Sequence, residues 1–360
     1  MTPQKFTAIV LPSLDPDEKF IGVVEGLIWK GFEHIVIVDD GSDEAHQHYF
    51  EAASVYPQCS ILHHGVNKGK GRALKTAFSY IQEHLPEMKG VITIDGDGQH
   101  LADDIVACGK RMLSEGDKVV LGSRDFNQPG VPPRSVAGNK FTARMFRLLF
   151  GIKINDTQTG LRAIPVEYLE QFCRIEGERF EYETNMLLQM KRLGIQFVEQ
   201  PIATVYDPED YSSHYNAFRD SFKVGKVMAQ FLISGSGFRY VISSLLSYLV
   251  DTAIYGILFV SLGSSAKVIA QLAARVLSSF FNFNMNRSFA YRSKGNYLKE
   301  VGKYYCLCVP TAIVSLILVP LAQNLGNVTS VGIAILVKTI IEAVIYIFNY
   351  IFQKKWVFRK

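Results

Sequence analysis

Short apolar runs in the first 210 residues predict an α/β fold with a parallel sheet. Each run is rich in β-branched or apolar residues and is followed by Asp, Gly or Pro, and helix-like stretches separate most of the runs. The runs are residues 7–11, 35–38, 91–94 and 119–121. Parallel strands joined by helices produce this alternation. Ligands of such sheets bind beyond the carboxyl ends of the strands, where Asp39, Asp95 and Gly122 would lie.

Longer apolar runs begin at residue 240 and predict a membrane domain. Four runs have close to the roughly 20 residues that a helix needs to cross a bilayer. They are residues 240–262, 268–285, 304–323 and 331–352. We therefore expect four transmembrane helices in the C-terminal third of the chain.

Between these regions, residues 211–232 have the spacing of an amphipathic helix, with aromatic side chains near one face and Arg219, Lys223 and Lys226 among the polar positions. Such a helix suits the membrane interface, although a helix that covers the soluble core would show the same pattern. The predicted divisions are an α/β domain over residues 1–210, a juxtamembrane helical linker over 211–238 and a membrane domain over 239–360.

Composition and charge agree with a protein that lies partly in lipid. Apolar residues make up 48% of the chain, and the net charge of +4 is modest. Its basic residues after position 220 gather beside the apolar runs, which indicates membrane orientation rather than nucleic-acid binding. The connection before residue 304 and the C-terminal tail are basic, so we expect the catalytic domain and both termini to be cytoplasmic. Five cysteines without a C-x-x-C pair favour reduced thiols.

The membrane region contains an internal repeat. The segment Phe281-Asn282-Phe283 and the basic and aromatic residues after it recur 67 residues later, beginning with Phe348-Asn349-Tyr350. A duplicated two-helix hairpin would produce this repeat. Isolated charge inside a bilayer is costly, so we expect the charged residues within the spans to pair between helices, in preference to lining a transport path. These residues are Asp251, Arg275, Lys338 and Glu342.

The most informative segment for chemistry is residues 91–100, Val-Ile-Thr-Ile-Asp-Gly-Asp-Gly-Gln-His. A buried strand here delivers Asp95, Asp97 and Gln99 at alternate positions. Hard oxygen ligands in this arrangement suit Mg²⁺ or Mn²⁺. A metal that bridges two phosphates would stabilise a departing nucleoside diphosphate, so we assign these residues to a metal site. An acidic turn after a strand is common, and the position after a strand together with Gln99 strengthens the assignment.

Two further segments predict contacts with a nucleotide-sugar donor. Asp39 and Asp40 end a strand, and their carboxylates could bind a ribose hydroxyl or a base edge. The segment Asn67-Lys68-Gly69-Lys70-Gly71 opens a helix and offers backbone amides and positive charge to an anion. We assign Lys68 and Lys70 to the donor, together with Asp95 and Gln99. The alternative for this loop is a solvated basic helix cap.

These motifs together resemble family 2 glycosyltransferases of the dolichyl-phosphate mannose synthase and bactoprenol glucosyltransferase type. The motifs are, in order, Asp-Asp-Gly-Ser, Asn-Lys-Gly-Lys-Gly, Asp-Gly-Asp-Gly-Gln-His, Gly-Ser-Arg at 122–124 and Asp-Thr-Gln-Thr-Gly-Leu-Arg at 156–162. The resemblance covers residues 5 to about 205. The remainder resembles the GtrA-like domain that some of these enzymes carry fused at the C-terminus.

The resemblance implies a GT-A fold, a nucleotide-sugar donor and a polyprenyl-phosphate acceptor. It implies catalytic roles for Asp97, Asp156 and Arg124, of which Asp156 could equally cap a turn. The residues assigned to the acceptor phosphate are Arg124, Arg134, Asn139, Arg162 and His214. His214 stands in the segment that replaces the family's Arg-x-x-Gly-x-Ser-Lys loop. The first loop also departs from the family's Pro-x-Tyr-Asn-Glu, so nucleobase contacts are not carried over.

The expected reaction is a single displacement with inversion, because a polyprenyl phosphate is already ionised and needs little help from a base. A processive polysaccharide synthase is the less favoured alternative, since Gln189-Met-Lys-Arg192-Leu193 lacks the tryptophan of Gln-x-x-Arg-Trp. A lipid-sugar translocator or scaffold with an inactive soluble domain is the second alternative. The sequence leaves the sugar, UDP versus GDP, and a homo-oligomer open.

Overall fold

The computed structural model describes residues 2–128, 131–205, 217–262, 267–326 and 331–359. Two compact units make up the chain, Met1–Phe231 and Leu232–Lys360. Each unit has its own architecture and its own apolar core. The three divisions predicted from the sequence remain predictions.

The first unit is built on a seven-stranded mixed sheet. Its strands are β1 (Thr7–Ser13), β2 (Ile35–Asp39), β3 (Cys59–His63), β4 (Gly90–Thr93), β5 (Val119–Arg124), β6 (Arg162–Pro165) and β7 (Phe197–Ile202). Their order across the sheet is β3-β2-β1-β4-β6-β5-β7. The four strands predicted from apolar runs are present, whereas β3, β6 and β7 were not predicted.

One strand corrects the prediction of a parallel sheet. Strand β6 runs antiparallel to both β4 and β5, while the other described pairs are parallel. The four residues of β6 include Arg162 and Pro165, which gave no apolar signal. Because β6 runs in the opposite direction, its amino end lies at the carboxyl ends of β4 and β5. The loop that precedes Arg162 therefore lies at the edge where ligands bind.

Helices cover the sheet on both faces. The helices of this unit are α1 (Pro3–Phe6), α2 (Lys19–Trp29), α3 (Gln47–Ser54), α4 (Lys70–His84), α5 (Ala102–Glu115), α6 (Pro133–Met145), α7 (Leu169–Cys173), α8 (Glu181–Leu193) and α9 (Ala217–Ser234), which runs across the boundary between the units. Side chains of α2, α3 and α5 pack on one face of β1, β2 and β4. Helix α4 packs on β1 and β2 with Leu74, Phe78 and Ile81 buried. Strand residues alternate between the two faces, which explains why β2 is apolar throughout.

The second unit is helical. It contains α10 (Ser236–Leu262), α11 (Lys267–Met285), α12 (Tyr297–Leu325) and α13 (Val331–Phe352). These helices coincide with the four predicted spans, and α12 begins seven residues earlier than predicted. Two segments among the described residues are long and apolar enough to cross a bilayer, Ser236–Ser261 with mean hydropathy 1.6 and Tyr297–Ala322 with 2.2. The number of spans thus remains a prediction.

The predicted repeat has a structural counterpart. Helices α11 and α13 each continue into a π-helical turn, at Asn286–Ala290 and Gln353–Val357. The equivalent residues Asn286 and Gln353 are buried, and the Asn286 Nδ2 donates to Gln353 Oε1 at 3.0 Å. Helices α10 and α11 pack together, as do α12 and α13. The two hairpins therefore meet through equivalent positions.

The predicted charge pairing within the spans is partly present. Asp251 Oδ1 lies 3.9 Å from Arg275 Nε, and Glu342 accepts a hydrogen bond from Ser315 Oγ at 2.6 Å. The Lys338 side chain lies outside the described part of the chain. In the predicted interfacial segment, residues 211–216 lie outside the described residues, and the remainder is helical in α9.

Candidate active site

The carboxyl ends of the strands bring the predicted acidic residues to one edge of the sheet. Asp39 is the last residue of β2, Asp95 follows β4 by two residues and Arg124 ends β5. Because β6 is antiparallel, Asp156 and Gly160 enter the same edge from the loop before that strand. The topology therefore assembles residues that lie more than a hundred positions apart in the sequence.

Asp95 is enclosed by three neighbours. Its Oδ1 lies 2.6 Å from Lys70 Nζ, and its Oδ2 lies 3.5 Å from His100 Nε2. Gly160 approaches so closely that a Cβ on it would overlap the Asp95 carboxylate. Burial would raise the pKa of Asp95, but the charge of Lys70 and the close approach of His100 outweigh it and hold the pKa well below its usual value.

Asp97 lies on the turn after Asp95, and its Oδ1 accepts a hydrogen bond from the backbone N–H of Gln99 at 3.0 Å. Burial and the neighbouring charge of Asp95 raise the pKa of Asp97, even though the Gln99 N–H opposes the shift. Because the neighbouring Asp95 charge makes ionisation of Asp97 more costly, a cation bound beside Asp97 would stabilise its charged form. The carboxylate and amide oxygens of Asp95, Asp97 and Gln99 fit Mg²⁺ or Mn²⁺.

Asp39 and Asp40 hold the loops beyond the carboxyl end of β2. Asp39 accepts hydrogen bonds from the backbone N–H of Ser42 at 2.8 Å and from Gln47 Nε2 at 3.1 Å, and it lies 2.9 Å from His63 Nδ1. Burial would raise the pKa of Asp39, but the hydrogen bonds from His63, Ser42 and Gln47 lower it below the usual value. Asp39 is therefore held as a carboxylate.

Asp40 orders the basic loop. Its carboxylate accepts the backbone N–H groups of Lys68 at 3.0 Å and of Gly69 at 2.6 Å. His64 Nδ1 lies 2.7 Å from the Asp40 carboxylate, and His64 Nε2 lies 3.0 Å from Thr76 Oγ1. The Lys68 side chain is exposed, whereas the Lys70 side chain reaches into the site.

Arg124 and Asp156 form a close ion pair. Arg124 donates from Nε to Asp156 Oδ2 at 2.7 Å and from Nη2 to Oδ1 at 3.2 Å. The Asp156 carboxylate also accepts the backbone N–H of Gln158 at 2.9 Å, and the residue is fully buried. This two-point contact fixes the plane of the guanidinium. Asp156 thus orients Arg124 at the carboxyl end of β5.

The other residues assigned to the acceptor phosphate occupy different settings. Asn139 is buried in α6 and its Nδ2 donates to the backbone carbonyl of Asn155 at 2.6 Å, so it supports the loop that carries Asp156. Arg162 is also buried, and it donates to the backbone carbonyls of Thr159 and Glu183. The Arg134 side chain and all of His214 lie outside the described part of the chain.

Sequence reasoning did not identify several residues that line this site. Glu183 on α8 holds Lys70, with Lys70 Nζ 3.0 Å from its Oε2. Nothing local marks this glutamate, because its partner lies 113 positions away. His63 is the last residue of β3, and His64 follows it. Had β3 been predicted, the position of both histidines at its carboxyl end would have indicated that they lie near the site.

A second group that was not predicted lies beside the loops predicted to bind the donor. Asp15, Asp43 and His46 place their ligand atoms within 4.8 Å of one another. The backbone N–H of Asp43 donates to Asp15 Oδ1 at 3.0 Å, and the backbone N–H of Asp15 donates to Ser42 Oγ at 2.8 Å. These contacts join the first loop to the Asp-Asp-Gly-Ser segment. The loop for which no nucleobase contact was assigned therefore lies against the predicted donor residues.

Comparison with known proteins shows the family of each region of the chain. The profile described as Glycosyl transferase family 2 matches residues 27–173, and the profile described as GtrA/DPMS, transmembrane domain matches residues 239–358. An uncharacterized protein of Methanocaldococcus jannaschii is 30% identical over 221 residues, which are 60% of this chain and 88% of the relative. The chain belongs to glycosyltransferase family 2. This glycosyltransferase is a membrane protein with a GT-A domain and a C-terminal GtrA/DPMS transmembrane domain.

Two other proteins similar to this glycosyltransferase carry functional names. The UDP-N-acetylglucosamine–dolichyl-phosphate N-acetylglucosaminyltransferase of Methanococcus voltae is 27% identical over 219 residues, which are 56% of this chain and 86% of that protein. The glucosyl-3-phosphoglycerate synthase of Mycobacterium tuberculosis, solved with Mn²⁺, UDP and glucosyl-3-phosphoglycerate, is 16% identical with a TM-score of 0.48. That comparison covers 64% of this glycosyltransferase and 79% of the synthase.

Proposed function

We propose that this glycosyltransferase transfers a hexose from a UDP- or GDP-sugar to a polyprenyl phosphate such as undecaprenyl or dolichyl phosphate, using Mg²⁺ or Mn²⁺. The observation that carries the proposal is the meeting of two sets of residues at one sheet edge. One set is the acidic pair Asp95 and Asp97, and the other is the Arg124–Asp156 pair. The membrane domain supports a lipid acceptor, and the name of the Methanococcus voltae relative agrees with one.

In the proposed mechanism the chain manages negative charge. Asp95, Asp97 and Gln99 would hold the metal, which when bound would stabilise the charge on the departing nucleoside diphosphate. Lys68 and Lys70 add positive charge on the donor side, and Asp39 and Asp40 keep the surrounding loops in place. Electrostatic complementarity to charge that develops in the transition state is commonly the largest contribution to catalysis.

On the acceptor side, Arg124 presents a guanidinium whose plane Asp156 fixes. We assign it to the lipid phosphate, together with Arg134 and His214. A phosphate oxygen of the lipid attacks the anomeric carbon, the bond from that carbon to the diphosphate breaks, and the diphosphate leaves with the electron pair. Because the attacking phosphate is already an anion, no side chain has to remove a proton. An α-linked donor therefore gives a β-linked product.

Asn139 and Arg162 act indirectly in this proposal. Asn139 supports residues 155–157, and Arg162 connects Thr159 to Glu183 of α8, so both help to position the acceptor side. The proposed arrangement in the membrane is four transmembrane helices over residues 239–360, the linker 211–238 at the interface, and the 1–210 domain and both termini on the cytoplasmic side.

The test is release of nucleoside diphosphate by the full-length protein in detergent. A panel of UDP- and GDP-sugars is supplied with Mn²⁺, with and without undecaprenyl phosphate. We expect release from one donor only when the lipid is present. The Asp97→Ala variant should lose this release, and the Asp103→Ala variant, which removes an exposed carboxylate on α5, should keep it. Lipid-independent release would contradict the polyprenyl-phosphate acceptor, and no release from any donor would contradict the whole proposal and favour a translocator or scaffold.

A further inference from the structure

Lys70 is shared between the proposed metal site and a second carboxylate. Its Nζ lies 2.6 Å from Asp95 Oδ1 and 3.0 Å from Glu183 Oε2. The three side chains are 17%, 31% and 14% exposed, so each is screened only partly by water. The Lys70 ammonium therefore lies against Oδ1, one of the two Asp95 carboxylate oxygens that could bind a metal.

The fold builds this contact from three separate segments. Lys70 is the first residue of α4, and the preceding Gly69 has a φ of +102°. A Cβ on Gly69 would overlap the Glu178 carbonyl, and a Cβ on Gly71 would come within 2.6 Å of the Tyr182 Cβ. The two glycines thus let the start of α4 lie directly against the segment that leads to Glu183. The position of Lys70 is a consequence of close backbone packing.

The remaining oxygen of Asp95 is also restricted. Its Oδ2 faces His100 Nε2 at 3.5 Å and the backbone of Gly160. A divalent cation that approaches Asp95 without a nucleotide would consequently have to compete with the Lys70 ammonium for Oδ1. Two cations cannot share one carboxylate oxygen at a few ångströms without strong mutual repulsion.

We propose that Lys70 and Glu183 make divalent-cation binding at Asp95 depend on the nucleotide. The donor diphosphate offers Lys70 a stronger anionic partner than Asp95, so its arrival releases Asp95 for the metal. Glu183 keeps the ammonium beside the site during this exchange. The inference rests on the metal-dependent donor site proposed above, and it adds Glu183 as a positioning residue that acts through Lys70.

Linkage gives this arrangement a measurable form. If the nucleotide removes a competitor of the metal, each ligand strengthens the binding of the other by the same factor. Coupling between two sites typically changes affinity by about 5–150-fold. Part of the coupling comes from direct contact between metal and diphosphate, and the part due to Lys70 disappears when that lysine is removed.

The experiment measures Mn²⁺ affinity of the full-length protein by electron paramagnetic resonance, first without nucleotide and then with UDP. We expect Lys70→Met to bind Mn²⁺ about tenfold more tightly than wild type without nucleotide. UDP should then strengthen Mn²⁺ binding by a smaller factor than in wild type. Lys68→Met removes the same charge two residues away and should change the affinity without nucleotide less than about twofold.

Glu183→Asp separates the contact from the charge, because it keeps the carboxylate and shortens its reach. Lys70 should then stay with Asp95, and Mn²⁺ should bind about threefold more weakly without nucleotide. In the Lys70→Met background the same change should have no effect, since Glu183 acts through the lysine. Lys70→Gln provides a second neutral variant if Lys70→Met unfolds, and hydrogen exchange at the α4 amides checks each fold.

The outcomes distinguish this inference from the proposed function. If wild type does not bind Mn²⁺, or if Asp97→Ala binds it as tightly as wild type does, the metal site of the proposed function is wrong. If wild type binds Mn²⁺ at that site but Lys70→Met binds it no more tightly, the proposed competition between Lys70 and the metal is wrong and the metal site stands. If Glu183→Asp also weakened Mn²⁺ binding in the Lys70→Met background, Glu183 would not act through Lys70 and the inference would be overturned.

Discussion

The two units of this glycosyltransferase place apolar and polar side chains in opposite ways. In the first unit, apolar side chains such as Ile37 and Ile92 are fully buried in the sheet. In the second unit, most large apolar side chains are exposed, including Ile317 at 59%, while Asn286 and Gln353 are buried. The contrast shows that the same apolar residues that fill a core in water can form the outer surface in lipid, where lipid tails provide the apolar contact.

Two charged pairs, one from each unit, also differ in how closely they are held. In the first unit, Arg124 and the buried Asp156 form a closely fitted pair at 2.7 Å. In the second unit, Asp251 and Arg275 are 3.9 Å apart, and the Arg275 side chain is 71% exposed. The Arg124–Asp156 pair is held in one geometry, whereas the Asp251–Arg275 pair leaves the arginine accessible.

The largest effect is expected for Asp156→Ala. This change leaves the largely buried Arg124 guanidinium without its carboxylate, which should lower the free energy of unfolding of the first unit by about 3 kcal/mol. Sugar transfer should fall as well, because Arg124 loses its fixed orientation. Hydrogen exchange at the β4 and β5 amides measures the stability.

Asp156→Asn is the matched control, since it keeps an oxygen that accepts one of the Arg124 hydrogen bonds. Its loss of stability should be smaller than that of Asp156→Ala. Equal stability of Asp156→Ala and wild type would mean that this ion pair does not hold the sheet edge together.

The next effect concerns activity with little change in stability. Gly160→Ala places a methyl group against the Asp95 carboxylate and should displace it by a fraction of an ångström or more. Misplacement of a catalytic group by about 1 Å can cost about 100-fold in rate, so kcat/KM for sugar transfer should fall by about that factor. Steady-state release of nucleoside diphosphate measures it.

Gly138→Ala on α6 is the control for Gly160→Ala, because a Cβ at Gly138 meets nothing within 4 Å. It should leave kcat/KM unchanged and stabilise the first unit by about 0.4–1 kcal/mol. If both variants were equally active, the close approach of Gly160 to Asp95 would have no role in the reaction.

The sequence predicted the parts of this site that depend on local pattern. Runs of β-branched and apolar residues predicted strands β1, β2, β4 and β5. The residues that follow these strands meet at one edge because parallel strands end on the same side of a sheet. The membrane repeat was also predicted, from the recurrence of Phe281-Asn282-Phe283 as Phe348-Asn349-Tyr350. Asn286 and Gln353, which have the same 67-residue offset, form a hydrogen bond in the structure.

The remaining parts of the fold depend on long-range contacts. Strand β6 has four residues, and only pairing with β4 and β5 makes it a strand. Glu183 looks like an ordinary helix residue until α4 packs against α8. Likewise Arg162 and Asn139 were assigned to a phosphate from a motif, and their burial against backbone carbonyls follows from tertiary packing alone.

A smaller effect is expected where the two membrane hairpins meet. The single changes Asn286→Leu and Gln353→Leu each remove one partner of the 3.0 Å hydrogen bond. Hydrogen bonds between membrane helices contribute about 0.6 kcal/mol on average in double-mutant cycles, and we expect a coupling energy of that size. Unfolding in detergent of wild type, both single variants and the double variant measures it. Additive single changes would show that the buried pair does not join the hairpins.

The smallest effect is expected for Ile317→Ala on α12. It tests directly whether the exposed apolar side chains of the second unit contact lipid. Ile317 is 59% exposed, so in a bilayer much of its side chain contacts lipid in the folded state. Unfolding within the bilayer replaces its remaining helix contacts with lipid contacts of similar character. The free energy of unfolding in lipid bicelles should change by less than about 0.5 kcal/mol. The same substitution at the fully buried Ile37 of β2 should cost about 2–5 kcal/mol, because it leaves a cavity. A comparable cost at Ile317 would place that side chain in a helix contact, and the second unit would then bury its apolar residues as the first unit does.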